Sequence, residues 1–134
     1  ICAAPGYLDR HGRPAVPADI GMHRVVASTG SSAPLDWQFG GDQKISLSVN
    51  ARLQTNSIEA ARKAAIDGWG LVRMMSYQAA PFIENGSLEV VLRDYEPEPI
   101  PIHIVHPEGR HAPAKVRAFI DLAVDRLRAD KRIN

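Results

Sequence analysis

Apolar and polar residues alternate without a break from Ile45 to Leu53. Ile45, Leu47, Val49, Ala51 and Leu53 point one way; Ser46, Ser48, Asn50 and Arg52 point the other. A period of two is the mark of a half-buried strand. Just upstream, Trp37 and Phe39 alternate around Gln38, and Gly40-Gly41-Asp42 supplies a turn, so the two runs predict a hairpin. Downstream the period becomes helical. Ile58, Ala61, Ala64 and Ala65 form a narrow apolar stripe, small enough to sit close to a sheet. Asn56 is placed to cap this helix, with Glu59 three residues on as in a capping box, and Gly68 is placed to end it in a left-handed conformation.

The same reading orders the rest of the chain. Ile1-Cys2-Ala3-Ala4 reads as a strand and Pro5 as a helix start. Pro17 to Ile20 predicts a short helical turn, and Arg24 to Ser28 a strand. Leu71 to Met75 predicts a buried strand in spite of Arg73. Ser76 is placed to cap a helix running to about Asn85, with Pro81 awkwardly inside it. Leu88 to Leu92 and Ile102 to Val105 are strand candidates. Between them Pro97, Pro99 and Pro101 enforce an extended stretch, read as a crossing between two lobes. A last helix carries Val116, Phe119, Ile120, Ala123 and Leu127 at helical spacing, with Pro113 near its start and Lys131 and Arg132 near its end. Strands and helices alternating in this way predict an α/β sheet with parallel strands.

Composition narrows the function classes. The 134 residues are 45% hydrophobic, enough for one globular domain and short for two. A net charge of +1, with acids among the Lys and Arg, gives no field for nucleic acid or an anionic membrane. The single cysteine, Cys2, reads as a small buried strand residue and makes neither an internal disulfide nor a cysteine zinc site. No apolar run approaches the ~20 residues of a membrane span. The start lacks Met, a basic flank and a long apolar region, so it is no signal peptide. The expectation is of a fragment whose upstream part is missing.

Candidate chemistry is sparse. His103 and His106 fall on opposite faces of a strand, and His106 and His111 flank a Pro-Glu-Gly loop without an obvious third ligand, so no metal is expected. Ser31 or Ser32 with His23 and Asp36 has the members of a triad but no nucleophile-elbow motif. No catalytic residue and no cofactor is assigned. In open α/β sheets ligands bind beyond the carboxyl ends of the strands. Three segments are expected there: the turn after the first strand, the loop Ser28-Thr29-Gly30-Ser31-Ser32, and Thr55-Asn56-Ser57. The last opens a helix, whose free N–H groups favour an anion. The plainer readings stand beside these: Asn56 caps the helix, Ser57 faces solvent, and the Ser/Thr/Gly segment is a surface loop.

Several stretches, in order, carry a resemblance. They are Ile1-Cys2-Ala3-Ala4-Pro5-Gly6-Tyr7-Leu8, Pro17-Ala18-Asp19-Ile20, Arg52-Leu53-Gln54-Thr55-Asn56-Ser57, Met75-Ser76-Tyr77-Gln78-Ala79-Ala80, Glu84-Asn85-Gly86-Ser87-Leu88 and Pro101-Ile102-His103-Ile104-Val105-His106-Pro107. The run from Arg110 to Ile120 completes the set. Together they resemble the effector-binding domain of LysR-type transcriptional regulators. The resemblance implies a two-lobed fold like type II periplasmic binding proteins, with a small organic effector between the lobes. Residues 1–92 would form the second lobe, 93–101 the crossover, and 102–134 a strand and helix returning to the first lobe. The N-terminal winged helix-turn-helix and most of the first lobe would be absent.

The resemblance also implies no enzyme, a cytoplasmic homo-oligomer (dimer or tetramer), and DNA contact only through the absent N-terminal domain. Effector contacts are expected among Ser28, Thr29, Gly30, Ser31, Thr55, Asn56 and Ser57, for an effector expected to be an anion. Ala4 stands where Ser is common in the family, and Trp69 where a small aliphatic residue is usual; both would reshape the pocket. The alternative is a lobe of an extracytoplasmic solute-binding protein. A lobe alone would expose sheet edges, so self-association is expected through Ile102–Val105 or the Val116–Phe119–Ile120–Leu127 stripe.

Overall fold

A computed structural model describes residues 1–29, 35–40, 44–107, 112–130 and 132–133. Short apolar pairs build its main sheet. β1 (Cys2–Ala3), β2 (Val25–Ser28), β5 (Leu53–Thr55), β6 (Leu71–Val72) and β7 (Glu89–Val90) stand in the order β5-β2-β6-β1-β7. β3 (Asp36–Phe39) and β4 (Ile45–Ser48) form a separate antiparallel hairpin, Trp37 opposite Leu47. Its turn, Gly41 to Gln43, lies outside the described residues.

Alternation sorts each pair between two cores. Ala3, Val25 and Leu71 face α1 (Pro5–His11) and the hairpin, packing with Tyr7, Leu8 and Trp37. Cys2, Val26 and Val72 face α2 (Ile58–Ile66) and α3 (Ser76–Glu84), packing with Ala61, Ala65 and Ala79. The alanines let α2 sit close to the sheet, as their stripe predicts. A 3₁₀ turn spans Pro17–Met22. Gly68 follows α2 with φ +79°, the left-handed conformation expected of it.

The chain divides into two compact units, Ile1–Glu98 and Pro99–Asn134, and the division falls inside the proline-rich stretch 93–101. The second unit holds α4 (Ala114–Ala129), the strongly periodic terminal helix. Within this unit Ile120, Val124 and Leu127 line a groove with Pro99 to Ile104, while Phe119 and Leu122 are 66% and 57% exposed.

Four expectations fail here for identifiable reasons. The alternating run from Ile45 to Leu53 is two strands in two sheets. Val49 N–H donates to the Leu35 carbonyl (2.8 Å), but Arg52 N–H donates to the Val25 carbonyl (3.0 Å), so the ladder partner changes within three residues while the apolar period continues. The main sheet is mixed. β2 runs parallel to β5 and β6, and β1 runs antiparallel to β6 and β7. Ile102 to Val105 finds no ladder partner among the described residues, because a strand needs a neighbour that its own apolar pattern cannot provide. The strands expected over Leu71–Met75 and Leu88–Leu92 are ladders of two residues each.

Candidate effector site

Strand direction decides which residues meet. β2, β5 and β6 run the same way, with Ser28 opposite Thr55 and Val26 opposite Val72. Their carboxyl ends therefore leave the sheet at one edge, which carries Ser28, Thr29, Thr55, Asn56, Ser57 and Arg73. β1 runs the other way, so Ala4 and the start of α1 leave at the opposite edge. The turn after the first strand is therefore not part of this site. The crossover from β1 into α1 looks like any strand-to-helix turn in sequence; only its antiparallel pairing moves it away. Gly30 and Ser31 lie outside the described residues.

Hydrogen bonds tie the two central loops together. Thr29 donates twice to the Thr55 carbonyl, from its backbone N–H at 2.7 Å and from its hydroxyl at 3.2 Å. Thr55 Oγ1 accepts from the Ser57 N–H at 3.2 Å. The cap of α2 is Ser57, whose Oγ accepts from Ala60 N–H at 3.3 Å and donates to Glu59 Oε2 at 2.9 Å. Asn56 is not the cap. It stands one residue earlier, exposed at the rim, and is therefore open to a ligand. Likewise Ser76 is the first residue of α3 rather than its cap. Met75 holds the cap position, and Gln78 Oε1 accepts its N–H at 3.1 Å.

Electrostatics along this edge are uneven. The Glu59 carboxyl is held below its usual range, first by a backbone N–H and then by the Ser57 hydroxyl. A carboxylate thus already occupies the positive end of α2. Arg73, one residue beyond β6, is half-buried and stands over the Trp37 ring at 5.9 Å. Burial lowers its affinity for a proton.

The opposite edge holds a different cluster. Tyr7 Oη accepts from the Arg24 N–H at 3.0 Å and meets His23 Nδ1 at 3.3 Å, with the His11 ring 4.5 Å from the Tyr7 ring. Burial, and then His11, pull the His23 pKa down. A small cavity of about 130 Å³ lies here, lined by Ile20, His23, Val25 and Val49 among others, and includes none of the expected effector contacts. Among the described residues no group of three His, Cys, Asp or Glu is arranged to hold a metal ion, and no helix is long and apolar enough to cross a membrane.

A family model described as the LysR substrate binding domain matches residues 1–128. The chain belongs to the LysR substrate-binding domain family. Relatives include YcaN of Escherichia coli strain K12, an uncharacterized HTH-type transcriptional regulator, 30% identical over 90% of this chain and 40% of its own length. The HTH-type transcriptional activator TtdR of the same strain is 28% identical over 90% of this chain and 39% of its own length. The chain thus spans about 40% of the length of the curated relatives it matches.

Among solved structures, the full-length Vibrio cholerae virulence activator AphB, a member of the LTTR protein family, superposes with a TM-score of 0.68. It is 26% identical and covers 93% of this chain and 43% of its own. The regulatory domain of CrgA from Neisseria meningitidis superposes at 0.71, with 21% identity, 94% of this chain and 62% of its own. The fold is the α/β, type II periplasmic-binding-protein-like fold of LysR-type regulatory domains, and the chain is an effector-binding segment of that family.

Proposed function

We propose that the carboxyl edge of β2, β5 and β6 holds a small organic effector, with contacts among Ser28, Thr29, Gly30, Ser31, Thr55, Asn56 and Ser57. The observation that carries this reading is the pairing of Thr29 with Thr55, which fixes two polar loops side by side where parallel strands end. Residues 1–92 act as the second lobe, 93–101 as the crossover, and 102–134 as the strand and helix of the first lobe. Effector binding closes the lobes and biases the DNA-binding heads of a cytoplasmic homo-oligomer. This is a shift of populations by differential affinity, with no chemical step and no catalytic residue. DNA is bound only through an N-terminal domain outside this chain. The HTH-type regulators among the relatives favour this reading over an extracytoplasmic solute-binding protein.

The test uses the full-length regulator and its reporter promoter. Asn56→Ala should weaken the response to effector while leaving folding intact. A normal response removes Asn56 from the site. Effector-dependent protection from hydrogen exchange should fall on residues 27–29 and 54–58; protection confined to the Tyr7–His23 edge would overturn the assignment.

A further inference from the structure

We infer that the β3–β4 hairpin is a clasp on the start of the crossover. Gly40 holds the backbone of Tyr95 to Pro97, and the closed clasp keeps Leu92 in a left-handed conformation that the freed chain would leave. Opening and closing of the clasp tunes the output of the regulator, an inference that rests on the sensory reading above.

Three observations carry it. The first is the fit at Gly40. Its N–H donates to the Tyr95 carbonyl at 3.1 Å. A Cβ added there would stand 2.5 Å from the Glu96 carbonyl oxygen and 3.0 Å from the Pro97 Cα. Both obstacles are backbone, so the two segments meet this closely because the residue is glycine.

The second is Leu92. Among the described residues it alone, glycines aside, has a positive φ, at φ 57° and ψ 37°. That conformation is strained for a leucine and persists where the surroundings over-determine it. Here both flanks are tied. Val91 N–H donates to the Ile1 carbonyl at 2.9 Å, which fixes the chain beside β1, and Gly40 fixes it again at Tyr95. Between these ties stand left-handed Leu92 and a 3₁₀ turn over Arg93–Tyr95, closed by Tyr95 N–H on the Leu92 carbonyl at 3.0 Å.

The third is the independence of the hairpin. Its strands form a sheet of their own, with no ladder to the five-stranded one. Among the described residues of 35–49, the one backbone hydrogen bond that leaves the hairpin is that from Gly40. Otherwise side chains hold it: Trp37 and Phe39 share a core with Leu92, and Tyr95 packs against that core. The hairpin also reaches the end of β6, where the Arg73 guanidinium stands over the Trp37 ring at 5.9 Å. An element attached in this way can lift while the main ladder stays intact. Once it lifts, Leu92 loses the tie at Tyr95 and relaxes, which redirects the chain where it leaves this unit. Two arrangements of one segment form the bistable element on which a switch depends.

The experiment measures amide hydrogen exchange and effector-free reporter output in the full-length regulator. In wild type the amides of Gly40, Tyr95 and Glu96 should exchange together, about tenfold or more faster than those of Arg52, Leu71 and Val91, which bond into the main sheet. Exchange at the rate of the sheet amides would mean that the clasp opens only on global unfolding, and overturns the inference. Gly40→Ala removes the fit. Leu92→Val keeps a core side chain, but its branched Cβ disfavours the left-handed conformation. Both should speed exchange at Tyr95 and Glu96 about tenfold or more with the sheet amides unchanged. Both should also shift effector-free output about threefold or more, in the same direction. Unchanged output, or shifts of opposite sign, overturns the inference; if Gly40→Ala does not fold, Leu92→Val decides. Every reading is taken without effector, so failure of the clasp leaves the effector reading to its own test at Asn56, and failure there leaves the exchange pattern unmoved.

Discussion

Gly70→Ala tests whether β2 and β6 hold each other as closely as the geometry requires. A Cβ at Gly70 would overlap the Arg24 carbonyl oxygen and lie 2.8 Å from its carbon and 3.1 Å from the Arg24 Cβ. The obstacle is backbone, so no rotamer change removes it. The same carbonyl accepts the Leu71 N–H at 2.8 Å, the bond that starts the β2–β6 ladder. Relief requires the strands to separate at this point. Overpacking of this kind costs ~1–3 kcal/mol, and a strained or lost ladder bond adds ~1 kcal/mol, for a total of ~2–4 kcal/mol. At ~4–8 °C per kcal/mol for a domain near 100 residues, the melting temperature should fall by ~10–25 °C. Gly6, inside α1, is the control, because nothing lies within 4 Å of a Cβ added there. Gly6→Ala should stabilise by ~0.5–1 kcal/mol through helix propensity. Thermal denaturation followed by circular dichroism compares the pair. A Gly70→Ala protein that melts within ~2 °C of wild type, with Gly6→Ala behaving as expected, would refute the close approach of Arg24 and Gly70.

Other substitutions probe the edges of the sheet. Ser57→Ala removes the α2 cap and should cost ~0.5–2 kcal/mol, whereas the exposed Asn56→Ala should stay within ~0.5 kcal/mol; equal losses in urea denaturation would reverse the cap assignment. Pro81 is exposed inside α3 and lacks the N–H for a helical bond, so Pro81→Ala should raise stability by ~1–3 kcal/mol in the same assay; a loss would mean that its ring is a packing element. His23 has a folded-state pKa below its ordinary 6.5, so the unfolded chain binds its proton more readily. Its contribution is therefore complete above pH 6.5 and is lost as pH falls through 6.5 toward the folded value. Melting temperature should decline on acidification below that point more steeply in wild type than in His23→Gln; parallel curves would rule this out.

The fold was legible wherever one residue type served one purpose. The alanine stripe of α2, the glycine after it and the helical spacing of α4 each answer a local demand, and each stands where its pattern puts it. The misreadings come from a different source. Hydrophobic period reports which face is buried and says nothing of which strand lies alongside. Ile45–Leu53 therefore reads as one strand although its hydrogen bonds pass from Leu35 to Val25 midway. Strand direction is equally invisible in a two-residue segment such as Cys2–Ala3, and that direction alone removes the start of α1 from the site.

Asn56 and Ser57 are both good cap residues at adjacent positions, and the choice between them rests on a backbone turn that Thr55 closes through its own hydroxyl. Propensity cannot separate the two, yet the outcome decides which of them faces outward. The residue spent on the cap is turned toward α2 and Glu59, and the one left over is presented at the rim. Arg73 shows the complementary case. Its charge interrupts an apolar run, a local inconsistency that hydrophobic period alone does not explain. The guanidinium rests over the Trp37 ring at 5.9 Å, so the strand buries an aliphatic stem and sets its charge against an aromatic face.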